Sequence, residues 1–392
     1  NMKKILSLMI CLLIIPGLVL AAETKAVVKT STNLAENAKS AIMIEASSGK
    51  VLFDKNSHEK LPPASMTKMM SMLLIVEAVE DGIISWDQKI TVSENASGMG
   101  GSQILLETGE QMSVDDLFKG VAIMSGNDAV VALAEAVAGT EDEFVKMMNK
   151  RAKELGLKDS VFKNPHGLDD ANHYSSAYDM SLIAKELVKH NRVLKYTSTY
   201  EDYLRKGTER ELWLTNTNKL TRFYPGVDGL KTGYTKEAGY CLTSTAKRDG
   251  MRIITVVMGE PDTKTRNSET STMLDYAFAQ YKVEELINKK SVIAKKEVEK
   301  GKSKYVKIVP KEDIVLLTKK TDKIGKITYN LNLKKVKAPV KKGKVLGDIE
   351  VKRNGKIINK VNVTVKNDVK EANFIELYWR YLSDILGGNI NV

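Results

Sequence analysis

Ser65 and Lys68 lie three residues apart in the stretch Pro62-Pro63-Ala64-Ser65-Met66-Thr67-Lys68, directly after a pair of prolines. On a helix this spacing places both side chains on one face, so a hydroxyl and an amine can come within hydrogen-bond distance. A serine oxygen beside a neutral basic nitrogen is an activated nucleophile. Serine and lysine are common residues, so this tetrad alone does not identify an active site.

A helix and a preceding β-hairpin are the elements that would position this pair. Residues 66–80 carry few polar side chains and Asp81-Gly82 is typical of a helix end, which predicts a buried central helix with Ser65 at its positive N-terminal end. Before it, two apolar segments flank the turn at residues 47–50 and predict a hairpin. A sheet therefore precedes the Ser65 helix.

Two further short motifs follow along the chain. Ser125-Gly126-Asn127 falls in a loop between predicted helices, and Lys231-Thr232-Gly233 opens a predicted strand. That strand continues into a second hairpin, and a helix over residues 270–281 ends the region. The pattern predicts an α/β fold whose sheet is built from both ends of the domain, with helices in the middle.

Composition describes an ordinary globular protein with room for two domains, since 43% of its 392 residues are hydrophobic and 28% are charged. The net charge of +11 is concentrated in the C-terminal third, which suggests nucleic acid or an anionic surface as a partner. We expect no nucleic acid, because the lysines alternate with β-type residues, aromatic residues are few, and the N-terminus indicates export.

Export is indicated by Met2-Lys3-Lys4, an apolar stretch over residues 5–20 and the small residues Ala21-Ala22. This order is typical of a secretory signal peptide over residues 1–22, although an uncleaved anchor is an alternative. Cleavage would leave Cys241 as the one thiol, which permits no internal disulfide and gives little support to a zinc site. We expect no metal and no cofactor.

Beyond residue 283 the sequence changes to short alternating segments, which predict a small all-β domain over residues 288–366 without a catalytic constellation. Residues 369–388 then predict an amphipathic helix, with Glu376, Arg380 and Asp384 on one polar stripe and aromatic or aliphatic residues elsewhere. Such a helix lies in a membrane interface. The alternative is that it packs against the β domain.

In this order, the three motifs resemble the S-x-x-K, S-x-N and K-T-G set of penicillin-binding proteins and serine β-lactamases. The fuller stretches are similar to low-molecular-mass D-alanyl-D-alanine carboxypeptidases: residues 62–68, 125–127, 164–169 (Asn-Pro-His-Gly-Leu-Asp) and 229–235 (Gly-Leu-Lys-Thr-Gly-Tyr-Thr). The resemblance implies a penicillin-binding D,D-peptidase domain at residues 38–282, of the β-lactamase/transpeptidase type, with an antiparallel sheet flanked by helices and a helical subdomain.

The resemblance also implies roles for single residues. Ser65 would be the nucleophile, and Lys68 its base, kept neutral by burial, by the helix N-terminus and by the nearby cation Lys231. Ser125 would relay the proton to the leaving amine, with Lys231 holding its hydroxyl. The residues expected to bind substrate are Asn127, Thr232, Gly233, Tyr234 and Arg266.

Among these binding residues, Asn127 would hold the backbone amide of the substrate. The backbone N–H groups of Ser65 and Tyr234 would form the oxyanion hole. Thr232 and Arg266 would bind the terminal carboxylate. His166 is expected to organise its loop rather than to act as a base, and Cys241 to be buried beside the site.

The expected function is therefore a serine-type D-alanyl-D-alanine carboxypeptidase that acts on peptidoglycan stem pentapeptides at the outer face of the cytoplasmic membrane or in the cell wall. Because no E-x-x-L-N sequence supplies a deacylating glutamate, β-lactam antibiotics are expected to be covalent inhibitors. The alternatives are a β-lactamase, a D,D-transpeptidase and a non-catalytic penicillin-binding sensor.

Overall fold

The computed structural model describes residues 32–386, so the predicted signal peptide at residues 1–22 lies outside the described residues. All elements below belong to one compact unit that begins at Leu34. Its strands begin with β1 (Ser40–Glu45), β2 (Val51–Lys55), β3 (Lys89–Thr91), β4 (Gln111–Ser113), β5 (Glu201–Leu204), β6 (Leu212–Thr215), β7 (Val227–Thr235), β8 (Gly239–Arg248) and β9 (Met251–Glu260).

The helices of the same region begin with a 3₁₀ turn at Ala64–Thr67, which leads directly into α1 (Lys68–Glu80). The others are α2 (Glu94–Ser97), α3 (Val114–Met124), α4 (Asn127–Ala138), α5 (Glu141–Glu154), α6 (Ala177–Leu187), α7 (Asn191–Thr197), α8 (Leu220–Phe223) and α9 (Thr263–Gln280).

Within the described residues, the central sheet is antiparallel and has the strand order β2-β1-β9-β8-β7. Strands β1 and β2 come from the start of the domain, and β7 to β9 come from its end, while most helices lie between them in sequence. The predicted α/β architecture is confirmed. Because β7 is an edge strand, every second backbone N–H and C=O on it faces away from β8.

One face of this sheet carries the helical core, in which α1 is central. Buried side chains line α1 on all sides from Met69 to Ala78, which is why its apolar residues show no single stripe. The opposite face packs against α9 through a separate buried cluster that includes Met43, Leu242 and Leu274. The sheet thus separates the two cores, and β7 forms one edge of the sheet.

One helix boundary differs from the sequence prediction. The last helix of the domain begins at Thr263 rather than at residue 270, because the Asp262 side chain accepts the backbone N–H of Thr265 at 2.7 Å and caps it. Arg266 consequently lies in its first turn. Helix α6 ends at Leu187, and His190 is the residue directly before α7.

The C-terminal region contains β10 (Tyr281–Ile287), β11 (Ala294–Glu299), β12 (Tyr305–Pro310), β13 (Ile314–Lys319), β14 (Ile327–Leu333), β15 (Val336–Lys337), β16 (Gly347–Arg353) and β17 (Lys356–Val365), followed by α10 (Phe374–Leu386). One sheet has the order β14-β16-β17-β12-β11-β15, and β10 pairs with β13. A third apolar cluster, including Ile308, Val351 and Val363, forms its core. We call the strands of this region the β domain.

Helix α10 begins after the residues that precede it have paired with the β domain. Val369 bridges to Val340 and Glu371 bridges to Gly301, so these residues are extended rather than helical. In the part of the chain that the structure describes, no helix combines the length and the apolar character needed to cross a membrane.

Candidate active site

The turn that carries Ser65 is held from two sides. Its preceding residue, Ala64, has a φ of +49°, a conformation that non-glycine residues rarely adopt. A Cβ at Gly167 would lie 1.9 Å from the Ala64 carbonyl oxygen, and one at Gly233 would lie 2.8 Å from the Pro63 carbonyl oxygen. Both glycines are therefore needed for backbone to approach backbone, and they fix the turn between the 164–169 loop and β7.

Ser65 and Lys68 are brought together by this turn. Side chains three residues apart eclipse one another in a 3₁₀ helix, which is the geometry of Ala64–Thr67. Lys68 Nζ lies 2.9 Å from Ser65 Oγ and donates a second hydrogen bond of 2.7 Å to the backbone oxygen of His166. Lys68 is 0% exposed. The predicted pair therefore forms, with the amine enclosed by protein.

The electrostatic surroundings of Lys68 disfavour its charged form. Burial lowers the pKa of Lys68 well below its usual value, and the nearby charge of Lys231 lowers it further, against the opposing effect of Asp128. Burial, followed by the charge of Arg266, lowers the pKa of Lys231 to about 7. A neutral Lys68 can accept the hydroxyl proton of Ser65.

Ser125 and Asn127 lie at the junction of α3 and α4, directly before Asp128, whose charge acts on Lys68. Ser125 ends α3 in the left-handed conformation, with a φ of +62°. Asn127 Nδ2 donates to the Gly100 carbonyl at 2.7 Å. Within the described residues, Ser125 Oγ and Asn127 Oδ1 are buried without a hydrogen-bond partner. A buried polar atom without a partner is costly, so these two oxygens point to groups that a substrate would supply.

Lys231 and Thr232 lie on β7, the edge strand. Lys231 Nζ donates to the Thr232 backbone oxygen at 3.1 Å, so the expected hydrogen bond between Lys231 and the Ser125 hydroxyl is not formed in this structure. Thr232 Oγ1 donates to Thr217 Oγ1 at 2.7 Å. The threonine that was expected to bind a carboxylate is thus oriented by a second threonine from the loop after β6.

Arg266 is 5% exposed, and its Nε and Nη2 both donate to Asn267 Oδ1 at 3.1 Å. Among the described residues no carboxylate forms an ion pair with it, although buried arginines usually have one. Its charge is close enough to lower the pKa of Lys231. Arg266 is therefore a positive charge near the site that an anionic ligand can neutralise.

Tyr234 lies at the outer end of β7. Its side chain is 55% exposed and stacks on Tyr240 of β8, with ring centroids 4.3 Å apart. Cys241 is opposite Gly233 in the same strand pair and is 0% exposed. Burial raises the pKa of the Cys241 thiol to about 11, so this cysteine is not a nucleophile at neutral pH.

The structure adds residues to the site that the motifs did not indicate. Asp128 accepts the backbone N–H groups of Ile104 and Leu106, which holds the loop above α4, and its charge acts on Lys68. Its place directly after Ser125-Gly126-Asn127 was a usable signal. Thr217 carried no signal in the sequence, since its partner Thr232 lies 15 residues away.

His166 contributes through its backbone as well as its side chain. Its carbonyl accepts Lys68 Nζ, and its Nδ1 accepts the N–H of Leu168 at 3.2 Å. Within residues 32–386 no three His, Cys, Asp or Glu side chains come together in a way that could hold a metal ion. The arrangement is that of nucleophilic catalysis by a serine and a lysine.

Comparison with known proteins gives the same picture. Residues 26–262 match the family described as D-alanyl-D-alanine carboxypeptidase, and residues 281–371 match the C-terminal domain of penicillin-binding protein 5. The D-alanyl-D-alanine carboxypeptidase DacF of Bacillus subtilis is 49% identical over 384 residues, covering 98% of this chain and 99% of the relative.

Two solved structures extend the comparison to the fold. Penicillin-binding protein 5 from Haemophilus influenzae has a TM-score of 0.67 and 34% identity, and the match covers 86% of this chain and 98% of that one. Penicillin-binding protein D2 from Listeria monocytogenes, in the ampicillin-bound form, has a TM-score of 0.56 and 32% identity, with 62% of this chain and 98% of that chain covered.

Proposed function

The chain belongs to the D-alanyl-D-alanine carboxypeptidase family, and we propose that Ser65 is the nucleophile of its reaction. It is a serine-type hydrolase that removes a C-terminal D-alanine and acts on peptidoglycan. The proposed substrate is the pentapeptide stem, and the proposed intermediate is an ester between Ser65 Oγ and the penultimate D-alanine.

The contacts of Lys68 support an acylation step in which it acts as the base. Neutral Lys68 takes the proton of Ser65 Oγ across the 2.9 Å contact while Oγ attacks the carbonyl carbon between the two D-alanines. The peptide C–N bond breaks as Ser125 gives its hydroxyl proton to the nitrogen of the departing D-alanine and receives in exchange the proton that Lys68 took from Ser65. Water then attacks the ester, which frees Ser65 and the shortened peptide.

Substrate binding follows from the unpartnered groups around this pair. Asn127 Oδ1 has no donor among the described residues and suits the N–H of the substrate peptide. Arg266, without a carboxylate partner among the described residues, and Thr232 suit the terminal carboxylate. The backbone N–H groups of Ser65 and Tyr234 are proposed to stabilise the oxyanion, since Gly233 brings β7 against the Ser65 turn.

The observation that carries the proposal is the fully buried Lys68 amine at 2.9 Å from Ser65 Oγ. We would assay D-alanine release from a diacetyl-lysyl-D-alanyl-D-alanine peptide. Ser65→Ala should lose activity by about a thousandfold or more. Ser268→Ala, at an exposed position of α9, is the matched control and should keep wild-type activity. Full activity in Ser65→Ala would refute the assignment.

β-Lactam antibiotics are proposed to be covalent inhibitors that acylate Ser65. A solved relative at 32% identity, penicillin-binding protein D2, holds ampicillin. Since this chain lacks an E-x-x-L-N sequence between its second and third motifs, nothing in the described site resembles the deacylating glutamate of class A β-lactamases. Steady hydrolysis of penicillin by the purified protein would favour a β-lactamase instead.

The family places the activity outside the cytoplasm, since its members act on the cell wall. We propose the outer face of the cytoplasmic membrane as the location, reached through a signal peptide at residues 1–22. We also propose the domain boundaries 38–282 for the catalytic domain, 288–366 for the β domain and 369–388 for a membrane-associating segment. Within that segment the predicted helix is observed only over Phe374–Leu386, because Val369 and Glu371 pair with the β domain.

Helix α10 supports the membrane proposal by the way it is docked. Its polar side contacts the β domain: Arg380 Nη2 donates to the Gly301 and Lys302 carbonyls, and Lys304 pairs with Asp384 at 2.9 Å. Seven of its apolar residues are 54 to 82% exposed, namely Phe374, Ile375, Tyr378, Trp379, Tyr381, Ile385 and Leu386. Because the charged residues are used for docking, the apolar face is presented outward, as interfacial binding requires.

Vesicle flotation of the full chain tests the role of this face. Replacing Trp379 and Ile385 by serine should reduce binding by about tenfold or more, because each buries apolar area in the interface. Ile357→Ser with Val345→Ser removes two comparably exposed apolar side chains from the β domain and is the matched control. Equal loss in both double variants would refute a specific role for α10.

A further inference from the structure

The β domain contains a basic groove next to α10 that the proposed reaction does not use. It is a cavity of about 400 Å³ between β12 and the segment after β17. Four lysines line it: Lys302, Lys307, Lys366 and Lys370. We call these residues and this cavity the basic groove.

Strand register shows that its lysines continue a row across the sheet. Lys307 of β12 is directly opposite Lys295 of β11. On its other side, the β12–β17 register continues so that Lys366, whose N–H donates to the Lys307 carbonyl at 2.8 Å, lies next to it. Side chains opposite one another in a sheet have Cβ atoms about 5 Å apart, and like charges there repel. The strand register therefore places three lysine residues side by side across the sheet.

Among the described residues, two acidic residues lie near the row of Lys295, Lys307 and Lys366, and neither forms an ion pair with it. Asp368 lines the groove, but it accepts the Lys342 backbone N–H at 2.7 Å and pairs with Lys341. Glu297 is opposite Tyr305, two residues along the strand from the row. In the described part of the chain, Lys295, Lys307 and Lys366 form no ion pair. A row of like charges without internal counter-ions suits an anionic ligand.

The position of the groove indicates which anion is available. Lys302 belongs to both structures, since it lines the groove, pairs with Glu376 of α10 at 3.3 Å and gives its carbonyl to Arg380. Lys307 is three residues from Lys304, which pairs with Asp384, and three residues of strand span about 10 Å. A membrane that receives the apolar face of α10 therefore brings its headgroups to the level of the groove.

Overall charge agrees with this arrangement. Residues 282–386 contain 27 Lys and Arg against 13 Asp and Glu, whereas residues 34–281 contain 29 against 35. An anionic membrane surface attracts such a region and does not attract the catalytic domain.

We propose that the basic groove binds the phosphate of an anionic phospholipid headgroup in the membrane surface that α10 enters. This inference rests on the membrane association proposed above. Lys307 and Lys366 contact the phosphate, and Lys295, Lys302 and Lys370 add to the local positive potential. The β domain thereby becomes a part of the membrane-binding device.

The test compares two charge-matched double variants of the full chain. Lys307→Gln with Lys366→Gln removes two charges from the groove, and Lys334→Gln with Lys335→Gln removes two exposed charges elsewhere in the β domain. Binding is measured by flotation with phosphatidylcholine vesicles, with and without phosphatidylglycerol. The groove variant should bind the anionic vesicles about tenfold more weakly, and the control variant should change by less than about twofold.

Neither variant should alter binding to phosphatidylcholine vesicles or D-alanine release, which report α10 and the active site separately. Equal weakening in both variants would overturn the groove in favour of diffuse attraction, and no weakening in either would overturn it as well. Wild type that floats with neither vesicle would overturn the membrane association, and with it this inference, while normal D-alanine release would leave the enzymatic function intact. A soluble polyphosphate that binds wild type but not the groove variant, without any vesicle binding, would replace the lipid with a phosphate polymer.

Discussion

Lysine occurs in two contrasting settings in this chain. In the active site, Lys68 and Lys231 are 0% and 1% exposed, and among the described residues neither forms an ion pair with a carboxylate. In the β domain the lysines are at the surface, where Lys304 pairs with Asp384, and hydrogen bonding to that carboxylate raises the pKa of Lys304. The pKa of lysine is therefore lowered in the active site and raised at Lys304 in the β domain.

The difference shows how the environment decides what a lysine does. Burial penalises the ammonium ion, so a buried lysine becomes a neutral amine that can take a proton from Ser65. Exposure leaves the ammonium ion hydrated and charged, so a surface lysine can attract anions but cannot act as a base. The predictions below separate these two uses of lysine, beginning with the largest expected effect.

Lys68→Arg should abolish acylation of Ser65, with a loss of about a thousandfold or more. Arginine has a similar length, but it carries a permanent positive charge because it does not lose its proton in proteins, so it cannot serve as the base. The rate of covalent modification by penicillin and the rate of D-alanine release measure the effect.

The control for this substitution is Lys304→Arg in the β domain, where a fixed charge is what the structure uses. It should leave both rates unchanged. If Lys68→Arg kept activity within tenfold of wild type, Lys68 would act as a positive charge rather than as a base. Lysines of the active site and of the β domain would then not differ in their use.

Arg266→Gln should lower kcat/KM for the peptide by about a hundredfold, because a buried charge-assisted contact to the substrate carboxylate is lost. A peptide that ends in an amide instead of a carboxylate is already poor with wild type and should lose much less. Steady-state kinetics with both peptides measures the difference, and equal losses for the two would show that Arg266 does not bind the carboxylate.

Lys231→Met should inactivate the enzyme yet stabilise the fold at pH 7, by about 2 kcal/mol or more. The pKa of Lys231 is about 7 in the folded protein against 10.5 as its ordinary value, so the unfolded chain binds more protons between these pH values. Wild-type stability therefore rises with pH in that window, and the advantage of the variant shrinks as the pH approaches 10.

Denaturant unfolding at pH 7 and near pH 9.5 measures this effect, with Lys334→Met at an exposed position as the control. The control should show no comparable gain. A Lys231→Met protein that is less stable than wild type at pH 7 would mean that the buried amine stabilises the folded protein, contrary to the expected cost of burying a lysine.

Added salt should weaken membrane binding by the β domain while leaving catalysis almost unchanged, which is the smallest of the expected effects on catalysis. Raising the ionic strength from about 0.05 to 0.5 M shortens the screening length and should weaken binding to anionic vesicles several-fold. Activity on a small peptide should change by less than about twofold, because Lys68 and Arg266 are buried and screened much less. If salt weakened peptide hydrolysis as much as vesicle binding, the charges that matter for catalysis would have to be exposed to solvent.

Local sequence was sufficient for the parts of the site that lie within one element. The α/β architecture, the central helix and the Ser65–Lys68 contact follow from spacing of three residues and from apolar runs. Contacts between distant segments did not follow from it. The Thr232–Thr217 hydrogen bond depends on how the loop after β6 meets β7, and the Lys231 contact with the Thr232 carbonyl depends on a rotamer.

The same reasoning applies to the helix of Arg266 and to the basic groove. The Asp262 cap that starts α9 was a readable local signal that the prediction overlooked. By contrast, the row of Lys295, Lys307 and Lys366 requires the register of three strands, and register is a property of the folded sheet. In the sequence these lysines are indistinguishable from the other basic residues of the region.

The most direct test of the central claim is the pH dependence of Ser65 acylation by penicillin, followed by intact-protein mass spectrometry with mapping of the modified peptide. The account predicts a long-lived adduct on the peptide that contains Ser65, absent from Ser65→Ala. Its rate of formation should rise with pH through a value well below 10.5 and then level off, because Lys68 is the base only when neutral. A rate that continues to rise through pH 10.5, or an adduct on another residue, would contradict the claim that burial makes Lys68 the base of Ser65.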